Sequence, residues 1–345
     1  RFTPLDVAVL VAYMAGVLAL GAVLGRRQRG ARDYFLAGHS MPWWAICFSV
    51  VATETSALTF ISIPATAYVG GFWILQLAAG YLIGRVAVAY VLLPGYFRGE
   101  LTTAYALLGE RFGPHARRFS SLIFMVTRAF ADSVRIFAAA IPIALITGWA
   151  YWQVILLVGA VTLVYTWYGG LRAVVWVDVV QLLLYLAGGI MALVVLIDVV
   201  PGGWAGIRAA GEARDTFRIV HLEGGPASAR WLFTGLVGGA FLSMATHGVD
   251  HLTVQRLMAA PSLAGARKAV IGSGILVFLQ FALFLTVGAG LLAHYRGRVF
   301  ETPDEVFPLF ILEGLPSGIV PWLSACTQTS PMARTRSSTV HFIAG

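Results

Sequence analysis

The sequence predicts an all-α integral membrane protein, and three observations carry that expectation. Of its 345 residues, 59% are hydrophobic and 12% charged, whereas a soluble domain carries about 25% charged residues. Apolar runs recur along the chain, several of them close to the roughly 20 residues that a helical span needs. The positive residues behind the net charge of +8 fall in short loops between those runs, which is the pattern of membrane topology and not of a nucleic-acid surface. A membrane β-barrel would show short alternating segments instead.

The runs cover about 5–25, 41–69, 72–97, 119–147, 150–168, 173–200, 231–255 and 269–293. In lipid every backbone polar group must be satisfied within its own element, so each run is expected to be a helix. Residues 294–315 read as a connection to a final helix starting near Pro316. Gly169 and Gly170 suit a tight turn and divide one helix from the next. The chain begins at Arg1, so its N-terminus is expected to be trimmed or incomplete. The first run is too long for a signal peptide.

Orientation follows from the arginines. Arg26, Arg27, Arg29 and Arg32 after the first run place that loop in the cytoplasm and the N-terminus outside. Arg98, Arg111, Arg117 and Arg118, then Arg172, then Arg256, Arg267 and Lys268 alternate consistently with that start, and the 201–230 loop falls outside. Trp149, Trp152 and Trp204 fall at the expected outer interface, where aromatic belts form. Cys47 and Cys326 lie far apart and belong to no disulfide framework or metal motif. No phosphate-binding loop or nucleophile elbow marks an enzyme, and no cofactor is expected.

Four stretches hold polar residues where lipid penalises them. The first, "SVVATETSALTFISIPATAYVGG" from Ser49 to Gly71, is apolar yet carries Glu54 among seven serine and threonine hydroxyls, with Pro64 inside it. Single hydroxyls in membrane helices ordinarily bond back to their own turn or join neighbouring helices. An intramembrane carboxylate is different: it costs several kcal/mol and marks a functional site by default. A helix interrupted here would leave carbonyls beside hydroxyls, which suits a small hard cation. In the second stretch Asp178 and Gln181 share a helix face beyond Arg172. Asp178 reads either as an interfacial partner of Arg172 or as a carboxylate for a cation or proton relay. In the third, Arg128, Asp132 and Arg135 share one face. They form either a self-neutralised triad or an arginine site for a planar anion. Arg85 is a further intramembrane charge, with Glu54 or Asp132 as its expected partner. In the fourth, "ATHGVDHLTVQR", His247 and His251 stand near Asp250 without the glutamate of a zinc-peptidase motif. They read as residues lining a solute path, with Gln255 and Arg256 capping the helix at the cytoplasmic face.

Taken together, "DYFLAGHSMPWW" (33–44), "ATETSALTFISIPA" (52–65), "LTTAYALLGERFG" (101–113), "YTWYGGLRAVVWVDVVQ" (165–181), "VQR" (254–256) and "FPLFILEGLPSGI" (307–319) resemble the sodium/solute symporter family. The branch they resemble most contains bacterial sialic acid transporters. The resemblance implies a LeuT-like fold of two inverted five-helix repeats behind one extra helix, with sodium and solute near the midplane. On that reading residues 5–25 are the extra helix, 41–200 the first repeat and 231–319 part of the second, all within one transmembrane domain, 1–319. The resemblance gives sodium the backbone carbonyls of Ala52 and Thr55, and Asp178 matches a carboxylate for a second sodium. Ser56, Thr59 and, with a shifted alignment, Gln76 match solute-facing positions. Glu54 lies among them.

Two departures stand out. The branch grips its solute carboxylate with an arginine whose place here is Ala131, with Arg128 and Arg135 one turn either side, and Arg135 is taken as the substrate-binding candidate. After Ile319 the chain no longer follows the family. Residues 320–345 form an atypical, arginine-bearing tail in which Ser337 and Ser338 do not match the family's sodium-binding serines, so the chain is expected to be truncated or scrambled there. The function expected is sodium-coupled symport of a small anionic or zwitterionic organic solute in the bacterial inner membrane. The alternatives are a solute-sensing membrane module and a non-transporting fragment.

Overall fold

The computed structural model describes residues 4–25, 30–55, 57–97 and 104–314. The expected helix near Pro316, the tail, Ser337 and Ser338 lie outside those residues, as does Ser56. Among the described residues every regular element is a helix. Helix α1 (Pro4–Gly25) starts on a proline, whose fixed φ suits a first turn, and α2 (Ala31–Leu36) is a short connector. The run expected as 41–69 is two helices, α3 (Trp43–Glu54) and α4 (Ala57–Gly70), bent by 66°. Next come α5 (Ile74–Ala87), a π-helical turn at Val88–Leu92 and α6 (Leu93–Phe97), which together make one apolar rod. Then follow α7 (Ala104–Phe112) and the long α8 (Pro114–Thr147).

Helix α9 (Tyr151–Val199) runs through both expected spans at 150–168 and 173–200. The division falls where the paired glycines put it, because Gly170 leaves helical geometry at φ 54°, ψ −160°, a region open to glycine. After α10 (Gly203–Glu212), the run expected as one helix over 231–255 is also broken. It forms α11 (Leu232–Gly248) and α12 (His251–Met258), again at 66°. Asp250 starts α12 as its N-cap, accepting a hydrogen bond from the Thr253 N–H at 3.0 Å. Helix α13 (Leu263–His294) is the most buried long span. Within the stretch expected as a plain connection lies α14 (Val306–Gly314). Among the described residues, three helices are long and apolar enough to cross a membrane, or up to five if each bent pair counts as one span.

The first broken helix is buried in two cores, and α3 reaches both, with Val51 in the one that α4 also enters. Helix α3 sends Ala45, Ile46 and Val50 into a cluster with Val175, Val179, Leu257 and Val270. Helix α4 sends Phe60 and Ile63 into another, where Phe60 packs edge-on against Phe284 at 5.0 Å between ring centroids. The break lies at the seam between them, so the polar residues of the first stretch are held between two apolar masses. Trp149, Trp152 and Trp204 are exposed, in keeping with an interfacial belt.

Helices α5 and α11 pack most closely. A Cβ on Gly84 would lie 2.3 Å from the Ala240 carbonyl oxygen, so only glycine lets the backbones approach this far. Gly84→Val should therefore destabilise the protein by roughly 1–3 kcal/mol through overpacking, read as a lower melting temperature in detergent. An unchanged melting temperature would mean that the two helices are not in this contact.

Candidate functional site

The first break is at Thr55, whose backbone is extended (φ −79°, ψ 93°) and whose N–H closes the last turn of α3 on the Val51 carbonyl at 2.8 Å. The C-terminal turn of any helix ends in carbonyls without in-helix donors and carries a partial negative charge. Here the ending residue is itself an acid. The Glu54 carboxylate is paired with the Arg85 guanidinium of α5 and stands 3.5 Å from His247 Nε2 at the end of α11. Arg85 also donates to Ser273 Oγ of α13 at 2.7 Å and is wholly buried. Beside it, the Thr55 hydroxyl lies 3.0 Å from Gln280 Nε2, also on α13. Four elements thus meet at one interrupted turn. Of the two partners expected for Arg85, the structure selects Glu54. Asp132 pairs with Arg128 at 2.9 Å along α8.

The other hydroxyls of the opening stretch divide as membrane helices usually divide them. Thr53 and Thr66 donate back to the carbonyls of Ser49 and Ser62 at 2.8 and 2.7 Å. Thr59 is half-buried in the first turn of α4. Ala52 is half-buried in the last turn of α3. Arg135 lies within α8, but its side chain is outside the described residues.

Two expectations are corrected. Asp178 does not pair with Arg172, which donates instead to Ser40 Oγ at 2.6 Å. Its partner is Arg256, which reaches Asp178 Oδ2 at 3.2 Å. Ser49 donates to the same oxygen at 2.5 Å and accepts from Arg256 Nε at 2.9 Å. Arg256 is therefore turned inward and is no interfacial cap. The break at Val249–Asp250 gives α12 a direction that carries Arg256 back against α3 and α9. Gln76 is engaged by a loop. Its amide donates to the Arg230 carbonyl at 2.9 Å and accepts from the His221 N–H at 3.1 Å, so it anchors the 213–231 loop instead of standing open to a solute.

His247 and His251, expected on one helix face, are divided by the break. His247 faces Glu54, whereas the His251 ring packs against Tyr105 and Phe124. Sequence reasoning missed Ser273, Gln280 and Ser49 as site residues. The first two sit in an apolar run where a serine or a glutamine reads as helix glue.

Comparison with known proteins places this geometry. The profile of the sodium:solute symporter family matches residues 34–341. The chain is 28% identical over 337 residues to the sodium/sialic acid symporter NanT of Aliivibrio fischeri, covering 92% of this chain and 64% of that protein. It is 27% identical over 321 residues to the human sodium/iodide cotransporter, covering 90% of this chain and 50% of that one. The chain thus spans less than two thirds of the length of these relatives. Among solved structures it superposes with a TM-score of 0.86 on a Na+-coupled sialic acid symporter in a substrate-bound, outward-open state, at 27% identity over 95% of this chain and 71% of that one.

The Asp178–Arg256 pair makes a stability prediction. Removing one member of a buried ion pair leaves the other charge uncompensated, at a cost of about 3–5 kcal/mol. R256M should show that loss in thermal unfolding, and the R256M/D178N double variant should recover most of it. A double variant as unstable as the sum of the singles would show that the two groups do not interact.

Proposed function

This chain belongs to the sodium:solute symporter family, and we propose that it couples a sodium gradient to uptake of a small organic solute, anionic or zwitterionic. The observation that carries this reading is the helix broken at Thr55 inside an otherwise apolar span. Broken spans place helix ends and free carbonyls where a stripped ion can be taken up. Sodium would use the carbonyls of Ala52 and Thr55. The solute would sit beside it, near Thr59 and Ser56, with Glu54 shaping the local charge. Arg135 enters this proposal by its position on α8, and Gln76 would contact a solute only after releasing its loop. Every contact described for the Asp178 carboxylate falls on Oδ2, so a second sodium there would use Oδ1.

Both halves of the chain support an inverted-repeat reading, with 41–200 as the first repeat and 231–319 as part of the second. Each opens with a span broken at 66°. The protein is a multi-pass membrane protein. We place it in the bacterial inner membrane with its N-terminus outside, on the loop arginines and on the bacterial relatives.

Transport follows if sodium binds one of the two access states better than the other, since only a differential affinity shifts such an equilibrium. Uptake into proteoliposomes should require an inward sodium gradient, and uptake that persists when choline replaces sodium would sink the coupling. Glu54→Gln should change solute affinity or choice, read from competition with a panel of organic acids and zwitterions. An unaltered competition profile would remove Glu54 from the solute's surroundings.

A further inference from the structure

The two helix breaks converge, and both ends that meet are C-terminal ends. Helix α3 stops at Glu54 and α11 stops at Gly248. The 3.5 Å contact between Glu54 and His247 brings those ends together. Each end carries the partial negative charge of a helix C-terminus, and Glu54 adds a full one. Such a point in a low-dielectric interior demands a cation. The protein supplies it on a tether, because the guanidinium touching Glu54 is that of the wholly buried Arg85.

The surroundings are built to admit that charge. Helix α13 gives up a side chain at Gly274, where a Cβ would lie 3.0 Å from Arg85 Cδ. The hydrogen bonding is incomplete: one amino group reaches Ser273 and the other Glu54, while Nε is buried without a partner among the described residues. A purely structural arginine would be expected to use its full fork. This one is held chiefly for its charge.

We infer that Arg85 is a resident counter-cation occupying a position that a mobile sodium ion would otherwise fill, so that it sets how many sodium ions the protein binds. The inference deepens the symport reading and rests on it for its meaning in transport. Without the guanidinium, the Glu54 carboxylate, the Ser273 hydroxyl and the two carbonyl ends would surround a gap with the hard oxygen donors that such a cation takes. Arg85 is then a positioning and specificity residue: it excludes an ion and holds Glu54 in place.

The test uses sodium alone, on the whole protein in detergent, with equilibrium binding of radiolabelled sodium in choline-balanced buffer. R85M should bind one further sodium ion per protein relative to the unsubstituted protein, and the E54Q/R85M double variant should return to the original count. If R85M fails to fold in choline, sodium should restore its folding where choline does not, and an R85M that sodium cannot restore overturns the inference. A folded R85M with unchanged sodium binding overturns it. So does a variant in which pH alters stability but sodium binding is unchanged, since a proton then fills the place. A double variant that still binds the extra ion also overturns it. Absence of sodium binding by the unsubstituted protein would defeat the symport reading instead, leaving the gain in R85M as a separate result.

Discussion

The pairing of Glu54 with Arg85 is the constraint on which the middle of the molecule depends. Neither charge is tolerable alone between two apolar cores, and the elements that hold them also share those cores. The pair fixes the end of α3 against α5. Ser273 ties the same guanidinium to α13, and His247 draws in the end of α11. Packing is arranged to permit this. Gly84, the residue before Arg85, allows α11 its close approach to α5, and that approach is what puts His247 within reach of Glu54. A larger residue at position 84 would therefore disturb the electrostatics as well as the packing.

Polar ties occur at three levels along the broken helix. Near one end, Ser49 on α3 closes the Asp178–Arg256 pair that joins α9 and α12. In the middle are Glu54 and Thr55. Near the other end, the Tyr68 hydroxyl of α4 donates to the Arg298 carbonyl at 2.5 Å, and the Phe72 N–H, just beyond α4, donates to Thr216 at 2.9 Å. Gln76 adds its own hold on the loop nearby.

Much of this was legible in the sequence, for reasons that separate cleanly. Long apolar runs declare themselves because lipid leaves the backbone one economical solution, and Glu54 declares itself because a carboxylate is so costly there. Gly169–Gly170 marked the kink in α9, and the Glu54–Arg85 pairing was one of two that the charge inventory allowed. The break at Val249–Asp250 was not visible, although Asp250 is a sound N-cap residue, because the surrounding pattern stays compatible with one continuous helix. That omission explains the misplacement of Arg256, since an unbroken helix would have carried it out to the interface. Asp178 was offered Arg172, six residues away, as its neighbour. Its actual partner is 78 residues distant, a separation that no local periodicity reports. The partners of Gln76 were hidden for the same reason, as they belong to a loop 145 and 154 residues further on.

The two ion pairs bear on coupling. Asp178–Arg256 links α9 to the short half-helix α12, whose direction is set by a break, and Ser49 of α3 bonds both members. Glu54–Arg85 links the end of α3 to α5, and the guanidinium is also fastened to α13 through Ser273. Both arginines are buried, so parting either pair leaves a guanidinium without its counter-charge. On the proposed symport reading, an ion at the Thr55 break would bind beside a charge balance that these pairs hold constant. Its differential affinity for two access states would then come from the carbonyls and hydroxyls that α3 and its neighbours bring to the break, and not from a charge that appears or disappears there.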